Sequence, residues 1–210
     1  FFRKGIKGAI NLNETVSKTK EVFGASTDVV VAQADKMAKA FGLPKGAMLD
    51  AASSFGAIAS GSGLADAASA KMANTLVKLA ADASSLYNVP LPEAMDKIRA
   101  GLKGSYEPML GLNVVMSEQA VQQEALRLGL VKGKKELDDR TKIVARASLM
   151  ETKLAVASGD LARTQDGAAN QFRKAGGGLD NFATSIGTIL LPAVTTGITV
   201  FNELQASIIE

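Results

Sequence analysis

The chain contains no cysteine and no histidine. The first absence excludes disulfides and thiolate-ligated zinc; the second excludes histidine-ligated metals and haem. Together they remove every Cys–His and Ser–His–Asp arrangement for nucleophilic catalysis and leave only carboxylate or lysine chemistry. Tryptophan is also absent, and aromatic residues make up 5% of the chain, with the two Tyr and eight Phe not interleaved with basic residues. Stacking platforms for single-stranded nucleic acid need that interleaving. Twenty-four basic residues against twenty-one acidic ones leave a net charge of +3. A concentrated basic face is the usual footprint of nucleic-acid binding, so we expect no sequence-specific nucleic-acid partner.

What is present is alanine and helical periodicity. The 210 residues suffice for one large domain or two small ones with a real core. Small side chains let helices approach closely, although each buries little area. The chain opens on Phe1-Phe2, without Met and without a secretory signal pattern, and we expect it to be a piece of a longer protein.

Gly and Pro punctuate the pattern every 15 to 25 residues. Residues 11–23 read as a helix with Leu12, Val16 and Phe23 on one side, ended by Gly24. Ser26, Thr27 and Asp28 offer an N-cap for a second helix through Phe41, closed by Gly42 and Pro44. Val16, Phe23, Val30 and Met37 repeat every seven residues, either as half of a coiled-coil seam or as the inner faces of two amphipathic helices. Further helices are expected over 45–60, over 65–87, and from Leu91-Pro92 to Gly101 or Gly104. There is no βαβ rhythm. Residues 111–116 and 129–134 look extended on either side of a short helix capped by Ser117, and could pair as one two-stranded ribbon near 113–133.

From Glu136 a helix is expected to about Ala157. Gly159 reads as its C′ glycine and Asp160 as the N-cap of a following helix. That helix should break at Gly176-Gly177-Gly178, because each glycine costs a helix about 1 kcal/mol relative to alanine. The fold class is therefore all-α: an array of amphipathic helices separated by Gly/Pro breaks, extended or self-associating. Three regions are expected: a helical array over 1–104, a turn-rich connector with a short helix over 105–135, and long helices over 136–210 that end in an uncharged apolar segment, 181–202.

That last segment is the most distinctive chemically. No residue between Asp180 and Glu203 carries charge. Phe182 to Phe201 is twenty residues, the length of a bilayer-crossing helix. Five of them are Thr, two are Gly, and Pro192 sits in the middle. The segment reads either as a membrane span or as a buried or self-associating helix pair kinked at Pro192. Its candidate residues are Phe182, Ile186, Gly187, Leu190, Leu191, Pro192, Val194, Gly197, Val200 and Phe201.

No catalytic, cofactor or metal constellation emerges. Glu136, Asp138 and Asp139 neighbour Lys134, Lys135, Arg140 and Lys142 in a mixed-charge run, the pattern of a solvated helix start. Lys132-Gly133-Lys134-Lys135 lacks phosphate-loop spacing, and Gly61-Ser62-Gly63 is not followed by Lys-Ser/Thr. The seven methionines are scattered, as gap-filling core residues are. We expect a structural or interaction module and not an enzyme.

Several stretches, taken in order, resemble the core region of phage tail tape measure proteins. Leu12-Asn13-Glu14-Thr15-Val16-Ser17-Lys18 is followed by Val22-Phe23-Gly24. Leu79-Ala80-Ala81-Asp82-Ala83-Ser84-Ser85-Leu86-Tyr87-Asn88 leads into Leu102-Lys103-Gly104-Ser105-Tyr106-Glu107-Pro108-Met109-Leu110. Leu128-Gly129-Leu130 precedes a charged helix, and Ser158-Gly159-Asp160-Leu161-Ala162-Arg163-Thr164 precedes Ala169-Asn170-Gln171-Phe172, Ile186-Gly187 and Leu190-Leu191-Pro192. The resemblance rests on the order and spacing of these stretches along nearly the whole chain. It implies a structural virion protein that fills the tail tube, sets tail length during assembly and leaves when DNA is ejected. The implied partners are other copies of itself, tail tube and tail tip proteins, tail assembly chaperones and, on ejection, the host membrane. The implied locations are the tail lumen or tip, the host cytoplasm during assembly, and the host cell membrane on ejection. The triple glycine at 176–178 departs from the family pattern, in which the helix continues. Wholly helical and extended, the chain would reach at most roughly 300 Å; it could also fold into a compact helical array.

Overall fold

The computed structural model describes the chain apart from residues 1, 134, 135, 165 and 210, and apart from the side chains of 2–4, 168–170, 172–174 and 201–209. Apolar residues at helical spacing form α1 (Phe2–Phe23) and α2 (Thr27–Phe41), separated by a 3₁₀ turn at Gly24–Ser26. Ser26 makes no capping bond; Thr27 instead donates its hydroxyl to the Gly24 carbonyl at 2.7 Å. The left-handed Gly42 (φ 63°) closes α2 by returning its N–H to the Ala38 carbonyl. Helices α3 (Lys45–Gly61), α4 (Asp66–Leu86) and α5 (Leu91–Lys103) follow at the expected breaks. Phe23, Val30 and Met37 are all buried, but on two helices with the 3₁₀ turn between them. The seven-residue repeat thus feeds two helices into one core.

That core runs as a single cluster from Phe23 to Leu161 and draws on all three regions delineated from the sequence. Its close crossings depend on small residues. Gly56 of α3 lies under the Phe23 ring, where a Cβ would stand 2.2 Å from Cζ. Beside it the Thr19 and Ser53 hydroxyls share a buried 2.9 Å hydrogen bond between α1 and α3.

The expected ribbon does not form: the described residues contain no strand. Glu107–Leu112 is a 3₁₀ helix, closed by Asn113 in the left-handed region (φ 55°) and by the Val114 N–H on the Met109 carbonyl. Met109, Leu112, Val114 and Met116 all enter the core, so these apolar residues are claimed by helices and have no strand partner. Ser117 caps α6 (Glu118–Arg127), accepting the Ala120 N–H as expected. Beyond α6, Gly129 (φ 69°) is left-handed and Leu130 returns its N–H to the Ala125 carbonyl, a helix ending where an extended piece was expected. Lys134 and Lys135 lie outside the described residues.

Helix α7 (Asp139–Lys153) starts three residues later than expected, because Asp138 takes the cap and accepts the Thr141 N–H at 2.7 Å. Two polar clamps hold α6 and the connector to α7. Buried Glu124 accepts from the Arg127 guanidinium and from the Ser148 hydroxyl. Glu118 accepts from the Tyr106 hydroxyl at 2.7 Å and from Arg146 at 3.0 Å, with Arg146 lying over the Tyr106 ring. The Arg127 bond, with help from Ser148, holds the Glu124 carboxyl below the usual carboxylate range; the Tyr106 bond, with help from Arg146, does the same for Glu118. Burial and the bond to Glu118 push the Tyr106 hydroxyl up. A carboxyl with a lowered folded pKa adds stability that is complete above its unfolded value, about 4.3 for Glu, and is lost as pH falls through the folded one. The melting temperature should therefore drop on acidification below about pH 4, and Glu124→Gln should shrink that drop in a pH series of thermal melts.

After a 3₁₀ turn at Ala155–Ala157 comes α8 (Asp160–Arg163), and then α9 (Ala168–Ile209). Asp160 is not the N-cap: it is the first helical residue of α8, and its carboxylate faces Arg163 and Thr164. The cap comes from α4. Asp82, 4% exposed, accepts the Gly159 N–H at 2.9 Å and the Leu161 N–H at 3.3 Å.

Candidate functional site

The triple glycine does not interrupt α9, and Pro192 does not fold it into a hairpin; one helix of 42 residues runs through both. The break expected at 176–178 falls instead between α8 and α9. Close approach of backbones explains the tolerance. A Cβ on Gly177 would lie 1.6 Å from the Gly42 carbonyl oxygen, and one on Gly187 would lie 1.9 Å from the Gly5 carbonyl oxygen. Gly5 of α1 meets the Ala183 carbonyl in the same way, and Gly8 makes room for the Thr184 hydroxyl. The intrinsic cost of glycine is offset by a contact that no other residue permits. Gly5 faces Gly187 and Gly8 faces Thr184, so α1 and α9 run antiparallel. Asn181 pins the pair to the loop between α2 and α3, donating to the Leu43 carbonyl at 3.0 Å and accepting the Lys45 N–H at 3.2 Å.

Three faces of α9 are distinct. The first, Ala183 and Gly187, is buried on α1. The second is hydroxylic. Thr184, Ser185, Thr188, Thr195, Thr196 and Thr199 each donate to the carbonyl four residues back. Each hydroxyl is thereby satisfied within the helix, which lowers the cost of removing it from water. The third face is apolar and open: Leu179 is 64% exposed, Phe182 57%, Ile189 77% and Val200 57%.

The candidate residues read from the sequence divide among these faces. Gly187 is buried; Ile186, Leu190, Leu191 and Val194 are half-buried; Phe182, Pro192, Gly197 and Val200 are exposed. Phe201 lies outside the residues whose side chains are described. Every residue from Thr195 to Val200 is exposed, so the outer part of the helix stands free of the core. Sequence reasoning missed Ala183, whose four-residue spacing to Gly187 is the small-residue signal for a close helix pair. It also missed Asn181 and Gly177, whose roles depend on a loop distant in sequence. Leu179 and Ile189, the two most exposed large apolar residues among those described in the helix, were missed as well.

By length and composition, Ala175–Val200 is a helix able to cross a membrane. A cleft of about 740 Å³ between α1, α2, α3 and α9 is lined by Asp35, Lys39, Lys45, Asp50 and Asp180; Lys45 pairs with Asp35, and Asp50 with Lys18 outside the cleft lining, both at 2.8 Å. Among the described residues no group of three or more carboxylates comes together as a metal site.

The fold is thus an all-α array with one long helix whose apolar face is uncovered. Comparison with protein-family profiles, with curated proteins and with solved structures finds no match.

Proposed function

We propose that the chain is part of a structural virion protein of a long-tailed phage, of the tape measure kind. It would set tail length during assembly and leave the tube when DNA is ejected. The observation that carries this reading is the order and spacing of the four stretches from Leu12 to Pro192 that resemble the family. Its partners would be other copies of itself, tail tube and tip proteins and assembly chaperones, within the tail lumen or tip and, before that, the host cytoplasm. No catalytic step is part of the proposal.

The test is electron microscopy of tails from phage carrying an in-frame deletion of this region. A helix advances 1.5 Å per residue, so removal of the region should shorten the tail by up to roughly 300 Å if it is extended there. A smaller but definite shortening is expected if it keeps the folded array. Tails of unchanged length would refute the reading and favour a helical adaptor or scaffold elsewhere.

A second reading is a membrane-active module, favoured by one observation: an uncharged helix long enough to span a bilayer, with its hydroxyls bonded back to its own carbonyls. Permeabilisation of phospholipid vesicles by the full chain tests it, and intact vesicles would refute it. In that assay Ile189→Lys is a sharper probe than a charge at Leu190 or Val194, because Ile189 is exposed and the other two are half-buried.

A further inference from the structure

A second groove, of about 360 Å³, runs between α2 and α4, and α9 takes no part in it. Its charges differ in kind from those of the larger cleft, which holds Asp35, Asp50 and Asp180 and pairs its Lys45 with Asp35. Among the described residues neither a carboxylate nor an arginine lines the α2–α4 groove. Its charged residues are Lys71 and Lys78, both exposed and neither in an ion pair. Ser26, Gln33 and Asn74 join them, half-buried, and none of these three side chains is bonded elsewhere in the protein. Thr75 is the polar residue already engaged, donating its hydroxyl to the Lys71 carbonyl at 3.0 Å. Glu151 of α7 acts on Lys71 without pairing with it, and burial holds the Glu151 carboxyl above the usual range despite that lysine. Two ammonium groups and three free hydroxyl or amide donors thus converge with no negative group among them, an arrangement complementary to an anion.

We propose that the α2–α4 groove binds a chain of phosphate groups, a function that does not depend on the tail reading. Spacing is the first argument. Lys71 and Lys78 stand seven residues apart on α4, about 11 Å along the helix axis. Each can therefore take a different phosphate of one chain, with Asn74 between them on the same helix. Donor chemistry is the second argument. An ammonium group is a point charge that takes a tetrahedral oxyanion from any direction, whereas a planar carboxylate is held best by an arginine fork, which this groove lacks. Size is the third. The volume is at the lower end of the range for small-ligand sites, enough for a few phosphates and not for a folded partner. Among the described residues no aromatic side chain lines the groove, so it offers nucleobases no stacking platform. Recognition is of the phosphates alone, a chemistry that a free oligophosphate and the backbone of a single nucleic-acid strand share.

Nuclear magnetic resonance titration of the isotope-labelled full chain with sodium tripolyphosphate tests this. Saturable amide shifts are expected over residues 26–33 and 67–78, and binding should weaken as salt screens the two lysines. Lys78→Ala should weaken it about 10-fold, the loss of one charge-assisted hydrogen bond. Lys78 is exposed, so this variant should keep its helicity by circular dichroism. Lys39→Ala, on α2 but lining the larger cleft, should leave the affinity unchanged. Shifts centred away from the groove would overturn the proposal, and so would equal weakening by both variants, which would reduce the effect to net charge. Citrate bound as tightly as tripolyphosphate would overturn it too, because the groove would then not select phosphate. Competition with oligothymidylate separates the two sources of the ligand. Displacement of tripolyphosphate assigns the groove to a phosphodiester strand, and failure to displace it assigns the groove to a free phosphate chain.

Discussion

Gly187→Leu should lift α9 off α1 while the core from Phe23 to Leu161 stays folded. The Cβ of any residue at 187 would lie 1.9 Å from the Gly5 carbonyl oxygen, so the two backbones must separate. Overpacking of this kind costs about 2 kcal/mol, roughly 30-fold in the docking equilibrium. The change also removes a helical glycine, which alone would favour the helix by about 0.8 kcal/mol. A net loss therefore isolates the packing from the propensity. No described residue of α9 belongs to the core cluster, which is why the rest of the fold should survive. Hydrogen exchange should show lost protection over 175–191 and over the first half of α1, with the remaining helices unaffected. Unchanged exchange over 175–191 would show that the α1–α9 contact tolerates a side chain there, and the close-approach argument would fail.

The largest loss of global stability is expected at Asp82. Its carboxylate is the shared acceptor for the Gly159 and Leu161 amides, and it is 4% exposed. Asp82→Ala leaves both donors without that acceptor in a site water scarcely reaches, at a cost of about 3 kcal/mol. Asp82→Asn keeps one oxygen and should recover about half of this. Asp160→Ala should cost less, about 1 kcal/mol, because its carboxylate holds only Arg163 and, more weakly, Thr164. Urea denaturation of the three variants checks the order. A loss in Asp160→Ala as large as that in Asp82→Ala would return the capping role to Asp160.

These two sites mark where sequence reading stops. The Gly159-Asp160 pair does mark a helix junction, because a left-handed glycine before a short polar residue is a local signal. The residue that satisfies the junction sits 77 positions upstream, and no local pattern points to it. The triple glycine reads as a break for the same reason. Propensity counts the cost of glycine in an isolated helix and is blind to the Gly42 carbonyl that Gly177 receives.

The connector teaches the converse. Residues 111–116 look extended in the sequence, yet Leu112, Val114 and Met116 are drawn into a helical core and Asn113 turns the chain. With no second strand to pair with, backbone groups there are satisfied by turns within the segment.

The sequence by itself determined the all-α class, the positions of α2 to α5 to within a residue or two, the Ser117 cap and the uncharged stretch after Asp180. Each follows from spacing over a few turns, from a cap within three residues of its target, or from composition, and all of these are local. Only the tertiary structure decided which face of α9 meets α1, that Asp82 caps α8, and that the Leu179–Val200 stripe is left open. Those outcomes depend on which backbones can approach within hydrogen-bond or van der Waals reach. That is a property of pairs of segments far apart in the chain, and the sequence does not display it at any single place.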